Sequence, residues 1–366
     1  MERFKNIILS LAVTIALFGL INVIALFWAK NYYSNLDMVS KNTQQKSYGY
    51  FLPNQSKKIL FPGLKPYHAR INTLGFRNVG LPMTHADLSS KTKILTVGDS
   101  LTFGLFVDDE ASYPFLLQQE LIKKNKNAIV LNAGIGSTTI TDHLAYLKLR
   151  GLSVKPDIVV INFCSNDISE LKNQTQTLYE KLLSHKDAGG IKNANSLPIF
   201  RAFRRGYVVN KYNHWMHKIK DEKIRNILTT QSRSLNDVLF VSKNYFAADI
   251  IKTPNDPEVL KGWTKYFKTL DETITLLHSQ NIKIVFFIVP EILSVYDQYD
   301  HGYQEKLKTF LQERKIDYID LSDEFKKYQG DKLTLFNNPP RDYHLSKTGN
   351  QIFVDKLLEI ILPNIK

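Results

Sequence analysis

From Lys91 onward the chain alternates short, continuously apolar runs with longer amphipathic segments. The runs Ile94–Val97, Ala128–Leu131, Ile158–Phe163, Ile284–Val289 and Tyr318–Ile319 read as strands. Apolar residues at helical spacing predict helices over Tyr113–Lys124, Ile140–Arg150, Val259–His278, Tyr303–Arg314 and Lys347–Leu362. A strand that is apolar at every position must be buried on both faces. A parallel sheet between two helical layers meets that need. The expected fold is therefore α/β: a flavodoxin-like three-layer sandwich around a central parallel sheet of about five strands. In such sheets ligands bind beyond the carboxyl ends of the strands.

Polar and glycine residues collect at those ends. Gly98-Asp99-Ser100-Leu101-Thr102-Phe103-Gly104 follows the first strand and leads toward a helix. Glycines permit a sharp turn there, and a helix N-terminus offers unpaired N–H groups to an anion. Asn132-Ala133-Gly134-Ile135-Gly136-Ser137 follows the second strand, and Ser165-Asn166-Asp167 the third. Together they supply a hydroxyl, backbone N–H donors and a side-chain amide, the parts of an acyl-transfer site with an oxyanion hole. Each piece also has a plain structural reading: Gly134 and Gly136 serve a turn, and Asn166 caps a helix.

A general base comes from Arg341-Asp342-Tyr343-His344-Leu345-Ser346, just before the last helix. In extended backbone, residues i and i+2 point to the same side. Asp342 can then hold one nitrogen of His344 while the other faces Ser100. The structural alternative is a surface loop with Ser346 as a helix N-cap. His214 and His217 stand alone and do not make a metal site. Neither a metal nor a cofactor is expected.

The N-terminus is of another kind. Ile7 to Ala29 is a run of 23 residues without charge, which suits one bilayer span. It exceeds the apolar core of a cleaved signal peptide, and Phe27 interrupts a small-x-small cleavage pattern before Ala29. Residues 1–30 are therefore expected to be an uncleaved, single-pass membrane anchor. Arg3 and Lys5 before the span are balanced by Lys30 and Lys41 after it, so charge does not set the orientation. Residues 31–90, broken by Pro53, Pro62, Gly63, Pro66, Gly80 and Pro82, read as a stalk and lead-in strands. Asn72–Arg77 within them reads as a compact turn. Residues 91–366 are the expected catalytic domain.

A mainly helical insertion at about 170–257 interrupts that domain. Lys186 to Arg233 carries 11 Lys and Arg against 3 Asp and Glu, a large share of the chain's net charge of +13. Aromatic residues such as Phe200, Phe203, Tyr207 and Trp215 are interleaved. The stretch is either a lid with a solvated basic face or an element that meets anionic headgroups or acidic glycan. No nucleic-acid motif accompanies the charge, so no nucleic-acid partner is expected. The single cysteine, Cys164, excludes an intramolecular disulfide.

With these blocks in order, the chain resembles the SGNH or GDSL hydrolases over roughly residues 70 to 362. Their first block is similar to Gly98–Leu101, their second supplies a glycine near Gly134–Ser137, their third the Asn of Asn166-Asp167, and their last an Asp and a His, as in Asp342 and His344. Asn72–Arg77 and Val107–Glu110 also look like a membrane-anchored, envelope-associated branch. Three positions depart from the pattern. Cys164 stands where the third block has glycine. The second block lacks a residue, which leaves the N–H of either Gly136 or Ser137 as donor. Asp342 lies two residues before His344 instead of three, with Asp331 as the other candidate acid. The resemblance implies a serine esterase acting through an acyl-enzyme on O-acyl groups of an envelope glycan or lipid. Its catalytic residues are Ser100, His344 and Asp342, and its oxyanion hole is Ser100, Gly136 and Asn166. The catalytic domain is expected outside the cytoplasmic membrane. An O-acyltransferase on the same site, or a non-catalytic glycan- or lipid-binding protein, are the alternatives.

Overall fold

A computed structural model describes residues 9–21, 48–59, 66–77, 85–178, 180, 222–228, 250, 253–296, 302–337, 339 and 344–365. An antiparallel hairpin, β1 (Gln55–Ile59) and β2 (Tyr67–Ile71), comes first. The main sheet follows: β3 (Thr92–Val97), β4 (Ala128–Asn132), β5 (Ile158–Phe163), β6 (Lys283–Ile288) and β7 (Asp317–Asp320). These five are parallel, in the order β4-β3-β5-β6-β7. Strand order reverses at β3, so the carboxyl ends of β3, β4 and β5 define the switch point where such sheets bind ligands.

Every position of β4 and β5 is buried. Alternate residues serve opposite layers, as a period of two requires. Leu95, Ile129, Val159 and Phe286 join one core with α4 (Ile140–Leu149), α5 (Asn166–Asn173), α6 (Pro257–His278) and α7 (Gly302–Glu313). Ile94, Val130, Val160 and Phe287 join the other with α3 (Tyr113–Lys123), α8 (Leu321–Lys327) and α9 (Lys347–Ile361). The two short helices before α3 are α1 (His85–Ser90) and α2 (Ser100–Phe103). The three-layer expectation holds, and strands and helices fall within a residue or two of their sequence limits.

Of the stalk and lead-in segment expected for residues 31–90, three stretches are described, 48–59, 66–77 and 85–90. Residues 48–59 and 66–77 include the expected strands and dock onto the main domain: Phe51, Ile59, Tyr67, Ile71 and Phe76 are buried in the same core as β3 and β5. Burial of each such side chain contributes about 1.5–3 kcal/mol, which favours docking over standing off. Arg150 Nη1 donates to Gly49 O at 2.8 Å, and Tyr146 Oη to Tyr48 O at 3.1 Å. The Asn72–Arg77 turn is built by Asn72, whose Oδ1 accepts the N–H of Leu74 and Phe76.

Among the described residues no helix is long and apolar enough to cross a membrane. Residues 9–21 are helical, with Leu9, Leu11, Ile15 and Leu17 exposed, and the rest of the Ile7–Ala29 run lies outside the described residues. The transmembrane helix expected for residues 1–30 therefore falls only in part within the described residues. Most of the 170–257 insertion is also outside them. Within it, α5 runs to Asn173 and residues 222–228 are helical, with Ile224 and Leu228 buried against the second core.

Candidate active site

The first site element is the abrupt transition from β3 into α2. Asp99 is its N-cap and accepts the N–H of Leu101 at 3.0 Å. Ser100 is thereby the first helical residue, directly beyond the strand end. The turn is backed by Asn162, a polar side chain in the otherwise apolar β5. Its Nδ2 donates to Asp99 Oδ1 at 2.9 Å and its Oδ1 accepts from Thr102 Oγ1 at 2.7 Å. All three residues are fully buried. A Cβ on Gly98 would lie 1.6 Å from Asn162 Oδ1, so this network requires glycine there. The loop after β4 comes equally close: a Cβ on Gly134 would lie 2.1 Å from Phe103 N.

His344 is held on the opposite wall. Its carbonyl accepts the N–H of Asn337 at 2.8 Å, and Leu345 bridges Phe336. Ser346 caps α9, as its position suggested, accepting from Gly349 N at 3.3 Å. This places His344 Nε2 2.7 Å from Ser100 Oγ, across 244 residues of sequence. Both are mostly buried, at 6% and 8% exposure, yet retain some access to solvent. The geometry is that of a hydroxyl and an imidazole sharing one proton.

The other expected residues are distributed as follows. Asp342 lies outside the described residues. Asp331, the other candidate acid, is exposed and caps the turn Lys332–Leu335 by accepting Leu333 N at 3.0 Å. Gly136 is buried, whereas Ser137 is exposed and adopts a left-handed conformation, φ 61°. Asn166 begins α5 at the β5 end, and its Nδ2 donates to Glu170 Oε1 at 2.8 Å. An amide has two N–H donors, so this bond leaves the second for a ligand. Cys164 is a buried free thiol closing β5.

Two buried titratable groups border the site. Asp167 Oδ2 accepts Cys164 N at 3.0 Å, and burial pushes its carboxyl well above the usual carboxylate range. His143 lies 3.2 Å from Thr138 Oγ1 through Nε2, and Thr138 Oγ1 bonds Ile135 O at 2.7 Å. Burial lowers the pKa of His143 below its ordinary value, against the opposing charges of Asp142 and Asp99.

The sequence reading passed over Asn162, Thr102 and Phe106. The signal for Asn162 was present: an amide inside the run Ile158–Phe163 must find buried partners.

A parallel α/β sandwich with a hydroxyl–imidazole pair at its switch point defines a class of hydrolase. A profile of the GDSL-like Lipase/Acylhydrolase family matches residues 96–352, and the chain belongs to that family. It is also similar to an arylesterase of Vibrio mimicus, 35% identical over 75 residues, or 20% of this chain and 38% of that relative. The match thus spans well under half of the relative's length. Among solved structures it is similar to the lipase/acylhydrolase from Enterococcus faecalis, with 14% identity, 75% of this chain and 97% of that chain covered, and a TM-score of 0.41. The acetyl xylan esterase AlAXEase is similar at 18% identity, with 74% and 99% covered and a TM-score of 0.39.

Proposed function

We propose that the protein is a serine ester hydrolase that works through an acyl-enzyme. The observation that carries this reading is the 2.7 Å contact between Ser100 Oγ and His344 Nε2 at the switch point of the sheet. His344 takes the Ser100 proton as Oγ bonds to the ester carbonyl carbon. The carbonyl oxygen becomes an oxyanion that the N–H groups of Ser100 and Gly136 and the Asn166 amide receive. On collapse the C–O bond to the alcohol breaks, and His344 returns its proton to that leaving oxygen. Water then repeats the cycle on the acyl-Ser100 ester and releases the acid. Asp342 is assigned as the carboxylate that orients His344. Family membership and the partial match to an esterase support the reaction class.

The substrate is assigned to O-acyl groups of an envelope glycan or lipid. The uncharged run Ile7–Ala29 supports a membrane-held enzyme, the likeness of Asn72–Arg77 and Val107–Glu110 to an envelope-associated branch supports a catalytic domain outside the cytoplasm, and the basic stretch 186–233 supports a neighbouring anionic surface. An acceptor hydroxyl replacing the second water would make the same site an acyltransferase.

Labelling with a fluorophosphonate tests the chemistry. Wild type is expected to take up one probe, and Ser100→Ala none. The variant should lose about 10⁴-fold or more in kcat on a small ester. A Ser100→Ala variant that labels and turns over normally would overturn the assignment.

A further inference from the structure

We propose that Arg77, which precedes the family-matched residues, is a positioning residue for both Ser100 and His344. The docked lead-in is on this view a working part of the site. The inference rests on the serine-hydrolase reading above.

The guanidinium of Arg77 is buried, with 1% of the side chain exposed, and each of its five N–H groups makes a bond. Nη1 donates to Phe103 O at 2.7 Å and Gly104 O at 2.6 Å. Nη2 donates to Val107 O at 2.8 Å and to His68 O of β2 at 2.9 Å. Nε donates to Asp109 Oδ1 at 2.7 Å. Asp109, equally buried, also accepts from Arg70 Nε at 3.0 Å. Four of the five acceptors lie between Phe103 and Asp109. The backbone N–H of Arg77 donates to Asn132 O at the end of β4, at 3.2 Å. One residue thus ties the nucleophile turn, the end of the neighbouring strand and the lead-in hairpin together. A planar fork of five donors is available only to arginine.

The clamped turn leads to both reacting groups. At its start, Ser100 O accepts the N–H of Gly104 at 3.0 Å and of Leu105 at 2.9 Å, so the carbonyls held by Arg77 belong to the residues that close the Ser100 helix. In its middle stands Phe106, at φ 64°, a left-handed conformation that a bulky residue rarely adopts. Such strain persists where the surroundings over-determine it. Here Arg77 holds the carbonyls of Gly104 and Val107 on either side, and Asn337 Nδ2 donates to that of Phe106 itself. The strained conformation sets the Phe106 ring 5.2 Å from the His344 imidazole at 85°, edge to face. The cation therefore fixes Ser100 through the helix end and His344 through the ring.

The test uses the full-length protein with a p-nitrophenyl ester and a fluorophosphonate. Labelling of wild type at Ser100 decides the underlying reading; the ratio of variant to wild type decides this one. Arg77→Lys keeps the charge and loses the fork. At full active-site titre its kcat and fluorophosphonate rate should fall about 10- to 100-fold, the scale of a misplaced reacting group, with KM nearly unchanged. Guanidinium ion below denaturing concentration should restore activity to Arg77→Ala and not raise that of wild type. Phe106→Gly relieves the backbone strain, so it should melt no lower than Phe106→Ala yet lose kcat as Arg77→Lys does. If Arg77→Ala does not fold, Arg77→Lys and Phe106→Gly carry the decision. A folded Arg77→Lys or Phe106→Gly with wild-type kcat, or a folded Arg77→Ala that guanidinium leaves unchanged, overturns the proposal.

Discussion

Asp99 and Asn162 share a hydrogen bond of 2.9 Å beneath the Ser100 turn, and both are fully buried. Leu101 N donates to the same carboxyl oxygen at 3.0 Å, so a backbone donor of the turn and a side-chain donor of β5 meet at one buried acceptor. The pair joins β3 and β5 at the place where Ser100 leaves the sheet.

Asn162→Leu should remove one donor to Asp99 and the acceptor of Thr102 together. Leaving buried polar groups unpaired costs about 1–3 kcal/mol each. A loss of roughly 2–6 kcal/mol in urea unfolding is expected on that basis. A variant as stable as wild type would show that the network does not hold the turn.

In the proposed mechanism the second amide N–H of Asn166 goes to the oxyanion. Asn166→Ala should lower kcat about 10²–10³-fold with a smaller change in KM. Asn166→Asp should lose at least as much, because it replaces donors with an acceptor beside Glu170. Steady-state kinetics on a small ester measure both, and unaltered turnover in a folded Asn166→Ala rejects the role.

His143 makes stability depend on pH with a definite sign. Burial depresses its pKa below 6.5, so the folded protein keeps it neutral while the unfolded chain takes up a proton. Its contribution is present above the unfolded pKa and is lost as pH falls from 6.5 toward the folded value. His143→Gln should flatten the urea midpoint against pH over that window. Parallel curves for wild type and variant would assign the dependence elsewhere.

Membrane attachment is expected to survive high-salt and carbonate washing of the full-length protein. Removing residues 1–30 should release a soluble form with wild-type kcat, since every assigned catalytic residue lies beyond position 97. That form should bind anionic vesicles better than neutral ones, more weakly at high salt, and Arg201, Arg204 and Arg205 changed to Glu should reduce the binding. Release of the full-length protein by washing contradicts the anchor, and equal binding to both vesicles contradicts the anionic surface.

The periodicity of the chain determined the secondary structure and the layers, because a strand apolar at every position, such as Ile284–Val289, has one environment open to it. The strand ends also marked Ser100 and, with the last block, His344: glycines, a hydroxyl and an imidazole leave signals within a few neighbouring residues. Tertiary structure alone decided who holds them. Asn162 meets Thr102 across 60 residues, and Arg77 meets Gly104 across 27. Such hydrogen bonds depend on which strands lie side by side and on where the lead-in docks. The same holds for Phe106, whose left-handed backbone is imposed by Arg77 and Asn337 from outside its own segment. Local pattern is set by burial, and burial repeats along the chain; the pairing of buried polar groups is set by three-dimensional proximity, which does not repeat.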